Sequence, residues 1–554
     1  MKRTSVFAFL TIVVLLPAQA IEPPNHFPLD ALRDLPILNN GRYKPLDTFA
    51  GETMKTITGR WRFNKNDHVA MLVSLLAFPE WTHETMIRID YLPAKIELDL
   101  DQSRNHYSFN ELAGNAGLQQ AFERIGEKQR RNIKLDRLES ELGSIFHQLS
   151  LFQEVMNGNE LTIVPPPPGA DEEAAWHTIS QADGYSQETL GAMRETYSRL
   201  ITSVRQANAS AFEQASLQLR TQMAQLNPQI YPQIKEMERE IHYNHFRPFL
   251  KSWILYLIAF LLFLFSFGLE RKTALYWSSF AIFVLGFALN TYGLLLRSLI
   301  SGRPPVSNMY ESVVFVGWGI IAFALIFELV YRERWFVTIA SALGVCMLVL
   351  ADLLPFDPNI EPLVPVLRSN YWLLIHVLTI TLSYSAFALA MGLAHVNLGI
   401  YFYLPHRRDL LAQMSLFLYR MLQVGVVFLF AGTVLGGVWA AESWGRFWGW
   451  DPKETWALIS LLGYIAILHA RHTGWLRDFG VAVCSVLGFW LILMTWYGVN
   501  FILATGLHSY GFGSGGGKYV LAYMIAEVIF LIAVAMKYKT SAFTKFTPVS
   551  SNEL

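Results

Sequence analysis

Between residues 444 and 456 the chain reads Trp444-Gly445-Arg446-Phe447-Trp448-Gly449-Trp450-Asp451-Pro452-Lys453-Glu454-Thr455-Trp456, four tryptophans in thirteen residues. A lone Trp at the end of an apolar segment is the ordinary anchor of a membrane interface. Here the rings alternate with Gly in a loop instead of lining a helical face. Flat apolar slabs separated by small residues suit a large planar aromatic guest such as a porphyrin. The loop closes with helix-start chemistry: Asp451 is spaced as an N-cap, Pro452 takes the favoured first position, and Glu454 completes a capping box. Asp451 and Glu454 therefore read as structural groups and not as an acid–base pair. No catalytic general base stands out anywhere in the sequence.

A porphyrin iron takes axial ligands, most often imidazole. The chain has 14 histidines, and position separates a few of them. His376 follows Asn370-Tyr371-Trp372 at the start of one apolar segment, and His508 follows the end of another, ahead of Ser509-Tyr510-Gly511. Both are expected at the height of the Trp-rich loop. One such His is ordinarily an interfacial hydrogen-bonder; two flanking a tryptophan platform point to ligation. His469 lies 13 residues after Trp456, roughly 20 Å deeper at 1.5 Å per residue. His395 lies 19 residues after His376, roughly 28 Å deeper on the same scale. Ionisable groups inside spans default to functional candidates, although a neutral imidazole bonded to a carbonyl is inexpensive. Both readings stay open for this pair.

The elements that must position these residues follow from composition. The 554 residues are 53% hydrophobic and 14% aromatic, too apolar for an ordinary soluble enzyme, yet 16% are charged, too many for a chain wholly within a membrane. The fold class expected is mostly α: a polytopic helical membrane bundle of about nine spans with an N-terminal, helix-rich, exported soluble domain. Net charge is zero, so no nucleic-acid partner is expected. Residues 1–20 read as a signal peptide, with Lys2 and Arg3, an apolar stretch from Val6 to Leu16, and Ala18-Gln19-Ala20; an uncleaved anchor is the alternative. The soluble domain runs over 21–248, with amphipathic helices at 118–156 and 186–245 and a rigid linker at Pro165 to Pro168. Nothing in it has the pattern of a metal cluster, a nucleophile triad or a phosphate loop, so it reads as a scaffold or docking domain.

Nine apolar segments long enough to span follow over 249–540, at about 250–269, 274–298, 312–330, 336–354, 371–403, 417–440, 455–470, 478–503 and 518–537, with a cytoplasmic tail at 541–554. Basic residues gather in alternate loops: Arg271 and Lys272, Arg332 and Arg334, Arg407 and Arg408, Arg471 and Arg477, then Lys537 and Lys539. By the positive-inside rule those loops are cytoplasmic, and the soluble domain and the Trp-rich loop are external. Only two cysteines occur, Cys346 and Cys484, each inside an apolar run, so a thiol-redox role falls to a partner.

The membrane part resembles the CcsA family of the System II cytochrome c maturation pathway, haem-handling proteins with a tryptophan-rich outer segment. The resemblance rests on Gly302-Arg303-Pro304-Pro305-Val306-Ser307-Asn308-Met309-Tyr310-Glu311-Ser312, on Trp444 to Trp456 followed by Ala457-Leu458-Ile459, and on Leu507-His508-Ser509-Tyr510. It implies that His376 and His508 are outer axial ligands of haem b, that Trp444, Trp448, Trp450 and Trp456 form its platform, and that His469 belongs to an inner haem site. It implies a holocytochrome c synthase subunit in a bacterial inner membrane, facing the periplasm and acting with a ResB-type (CcsB) protein. Apocytochrome c would be the acceptor and a thioredoxin-like protein the thiol reductant. A haem exporter, or a chaperone subunit without synthase activity, is the alternative. The segment Asn40 to Phe49 looks like the part preceding the CcsA half in fused relatives. A separate ResB-type subunit is expected to supply the family's other membrane histidine, with pairing of His395 and His469 as the second possibility.

Overall fold

The computed structural model describes residues 21–131, 133–171, 174–270, 273–354, 356–363, 369–503, 506 and 516–540. The expected signal segment, His508 with its neighbours, and the expected tail lie outside the described residues. The chain divides into two compact units, Met1–Ile241 and His242–Leu554.

In the N-terminal unit the turn residues Asn40 and Gly41 both take positive φ, 51° and 72°, the requirement of a tight hairpin turn. They join β1 (Pro36–Asn39) and β2 (Arg42–Pro45) in an antiparallel pair. The charges of this segment turn inward with partners. Arg42 donates to Glu240 at 2.6 and 2.9 Å, buried Lys44 to Glu52 at 2.7 Å, and buried Asp47 accepts from Arg33 at 2.6 Å and lies 2.9 Å from His68 Nε2. Burial pushes the Glu52 carboxyl up, with the Lys44 ammonium pulling the other way. The segment's polarity is thus structural.

The two long amphipathic stretches are interrupted. The first becomes α3 (Ala116–Arg130) and α4 (Arg137–Met156), counted after α1 (Leu46–Thr58) and α2 (His68–Ala77). Asp136 restarts the helix with a capping box closed by Glu139. The second becomes α5 (Gln187–Arg205), α6 (Ala209–Leu226) and α7 (Ile234–Phe246), and Asn208 caps α6 through the N–H of Ala211. The proline segment is bound into the unit and does not act as a free spacer. The Tyr185 hydroxyl donates to the Pro165 carbonyl at 2.7 Å and the Asn227 amide to the Pro166 carbonyl at 3.0 Å.

The C-terminal unit is helical: α8 (Pro248–Ser266), α9 (Ala274–Ser301), α10 (Met309–Tyr331), α11 (Trp335–Leu353), α12 (Leu378–Tyr403), α13 (Arg408–Trp444), α14 (Pro452–His472), α15 (Asp478–Leu493) and α16 (Gly517–Thr540). Among the described residues eight helical stretches are long and apolar enough to cross a membrane, and the protein is a multi-pass helical membrane protein. The ninth expected span, α14, has 21 residues but carries Lys453 and Glu454 at one end and His469, Arg471 and His472 at the other. α12 is the hub, packed against α10, α11, α13, α15 and α16. Its Phe387 stacks on Tyr464 of α14 with ring centroids 3.7 Å apart.

Two of these helices open or close on π-helical turns. Leu373–Val377 precedes α12 and carries His376, and Met494–Leu503 continues α15 toward residue 508. Such turns insert a residue into the helical ladder and re-aim the side chains around it.

Candidate functional site

His376 is seated by glycine. Its Nδ1 lies 2.8 Å from the carbonyl oxygen of Gly432 on α13. That oxygen only accepts, so Nδ1 carries a proton, and in the neutral ring this leaves Nε2 as the unprotonated nitrogen, the tautomer able to take a metal. One turn on, a Cβ at Gly436 would come within 2.7 Å of the imidazole Cε1, and a Cβ at Gly432 within 2.9 Å of the Ile380 backbone. The i,i+4 glycines therefore let the two helices approach while leaving space for the ring. Trp439, one turn further along α13, stands edge-on to the imidazole with centroids 5.7 Å apart.

The Trp-rich loop is built as a rigid lead-in to α14. Gly445 ends α13 in the left-handed region at φ 69°. The capping box at Asp451 is present as the spacing predicts: Asp451 accepts the N–H of Lys453 at 3.0 Å, and Glu454 accepts the N–H groups of Asp451 at 3.2 Å and Gly449 at 2.7 Å. Arg446 ties the loop across itself, facing Glu454 at 3.4 Å and lying 5.7 Å over the Trp444 ring.

These parts face one cleft at a single end of the bundle, lined by His376, Trp439, Trp444, Trp448, Lys453 and Trp496 among others. Its opposite wall is the start of α10, where Val306, Ser307, Asn308, Met309 and Ser312 reach it. The wall is stapled by ions. Buried Arg297 donates to Glu311 at 2.7 Å and to the Pro358 carbonyl at 2.8 Å, while Glu311 also accepts the Ser307 N–H at 2.7 Å. Ser312 accepts the indole N–H of Trp496 at 3.0 Å, fixing that ring. The described residues enclose about 170 Å³, below the ~300 Å³ at which pockets begin to engulf drug-sized ligands.

Of the residues singled out by sequence, His376, Trp444 and Trp448 come together here. Trp450 stands 70% exposed, edge-on to Trp448 at 6.0 Å, and Trp456 lies outside the cleft's lining. His469 is exposed near the far end of α14, and His508 lies outside the described residues. His395 has both ring nitrogens engaged, Nδ1 2.8 Å from the Met391 carbonyl and Nε2 2.9 Å from Glu527 of α16. Sequence reasoning missed Trp439 and Trp496, single tryptophans in apolar helices with nothing to separate them from interface anchors. It also missed Glu442, which accepts the Trp372 indole N–H at 2.7 Å and steadies the turn before His376.

Comparison with known proteins sets this cleft in context. The family model described as cytochrome C assembly protein matches residues 306–508, which begin at the cleft's α10 wall and end at the second candidate histidine. The protein NrfI of Wolinella succinogenes is 32% identical over 498 residues, covering 85% of this chain and 53% of NrfI, so the chain spans about half the length of that relative. The cytochrome c biogenesis proteins CcsA of Prochlorococcus marinus strains MIT 9301 and AS9601 are 38% and 39% identical over 267 and 251 residues. Those alignments cover 42% and 40% of this chain and 85% and 80% of the CcsA proteins. The CcsA likeness therefore covers part of the chain, whereas that to NrfI extends well into the N-terminal unit.

Proposed function

From the premise that this chain belongs to the CcsA family of cytochrome c biogenesis proteins, we propose that it presents haem b for covalent attachment to apocytochrome c. The observation that carries this is the convergence of a tautomer-fixed His376 with Trp439, Trp444, Trp448 and Trp496 on one cleft. His376 and His508 are the proposed axial ligands, and His376 is carried on the π-helical turn Leu373–Val377. The reaction is addition of a cysteine thiol across a haem vinyl group. Sulfur bonds to one vinyl carbon as the π bond opens, and the other carbon takes the proton. No oxidant is consumed, so the acceptor's CxxCH thiols must arrive reduced, the task of a thioredoxin-like partner. This chain's residues bind, orient and ligate the haem, and orientation of bound reactants is itself worth orders of magnitude in rate.

A ResB-type membrane protein is the proposed partner, with His469 contributing to an inner site on the path by which haem arrives. The bacterial inner membrane is the proposed location, with cleft and N-terminal unit on the periplasmic side, and that unit docks the partner or the apocytochrome. The test is co-expression of this chain with a ResB-type partner and an apocytochrome c. A synthase pair yields haem that stays with the cytochrome after denaturation and solvent extraction. Haem that is wholly extractable would reduce the chain to an exporter or a chaperone.

A further inference from the structure

Among the described residues the cleft wall contains an ammonium that makes no hydrogen bond or close ion pair. Lys453 lines the cleft at the start of α14. Its neighbouring carboxylates are otherwise engaged: Asp451 accepts the Lys453 backbone N–H, and Glu454 accepts two backbone N–H groups and faces Arg446. Among the described residues no hydrogen bond or ion pair reaches the Lys453 side chain. The rest of the lining is dominated by Trp439, Trp444, Trp448 and Trp496. A cation partly stripped of water in an aromatic wall is costly alone and gains strongly from an anion brought against it.

We infer that Lys453 anchors a carboxylate of the planar guest, a propionate of haem, within the cleft that His376 and the tryptophans share. This rests on the functional reading above. Haem carries its propionates on the macrocycle edge away from the vinyl groups. A grip on the acid edge therefore leaves the vinyl edge for the incoming thiols and selects one of the orientations that a flat aromatic slot alone would accept. Lys453 on this account is a positioning residue, because it touches the substrate far from the bonds that form.

The experiment titrates detergent-purified full-length protein, with its partner, with haem and with haem dimethyl ester, whose propionates carry no charge. The wild type should prefer haem roughly tenfold or more, the span of a charge-assisted hydrogen bond. Lys453→Met should weaken haem binding by that factor and leave ester binding unchanged, the retained ester affinity reporting an intact cleft. Lys453→Arg should restore most of the preference. Equal losses of haem and ester in both Lys453→Met and Lys453→Gln, or no change in either ligand, would overturn the assignment. If the wild type bound neither ligand, the haem-handling function itself would fail and this inference with it.

Discussion

An imidazole proposed as an iron ligand must be held by its other nitrogen, and α13 holds His376 with two atoms it lacks and one it offers. The Gly432 carbonyl takes the Nδ1 proton, while the missing Cβ atoms of Gly432 and Gly436 make the room. Gly436→Ala separates these effects from helix stability. Alanine favours the helix by about 1 kcal/mol, so the variant's thermal midpoint should stay near that of the wild type. Its co-purified haem should nevertheless fall severalfold, because the new methyl occupies the ring's seat. A wild-type haem spectrum in this variant would show that the imidazole has another place to sit. The tryptophans divide in the same way: Trp448→Ala should lower haem content, whereas Trp450→Ala, removing a 70% exposed ring, should leave it nearly unchanged. Type and clustering singled out His376, Trp444 and Trp448, which line one cleft, and the Asp451 capping box was legible from spacing alone. Trp439, Trp496 and Glu442 were not, because each acquires its meaning only from a neighbour on another helix.

Among the elements, helix length and register set the site. α13 has 37 residues, about 55 Å at 1.5 Å per residue against a hydrocarbon layer of ~30 Å. Its Trp439 end can therefore stand clear of the lipid while the helix still spans. The π-helical turn at Leu373–Val377 fixes the direction of His376, and deletion of Leu374 should convert it to regular helix and swing the ring about 100° around the axis. The expected result is loss of bound haem with normal membrane insertion and expression; retained haem would make the turn incidental. A second register contact is His395 with Glu527, joining α12 to α16. Breaking one side of such a pair strands the other, so His395→Leu or Glu527→Leu alone should each cost about 3 kcal/mol, and the double variant should recover much of that. Additive losses in thermal unfolding would show that the two do not act as a pair. The spans were legible because eight of the nine segments are apolar all along their length and not on one face only, while α14 departs in its polar ends. The π-helical turns and the breaks at Asp136 and Asn208 were not, since apolar periodicity carries no record of one inserted residue or of where a cap wins over a continuing helix.

For the whole molecule, topology is the first check. Reporter fusions after Glu270 and Arg408 should be cytoplasmic and those after Ser307 external; an external signal at Arg408 would overturn the proposed sidedness. Deleting residues 30–240 behind the intact leading segment should abolish cytochrome c assembly while the membrane helices still insert, and normal assembly by that truncation would remove the docking role. A bilayer that carries cytochromes is also energised, and a charge displaced across it does work, ~2.3 kcal/mol per elementary charge per 100 mV. The His395 and Glu527 side chains sum to zero formal charge whether a proton sits on the imidazole or on the carboxyl, and their reacting atoms are 2.9 Å apart. Exchange of that proton moves charge over only a small fraction of the membrane's thickness. Proton exchange within the lock between α12 and α16 is therefore nearly blind to voltage.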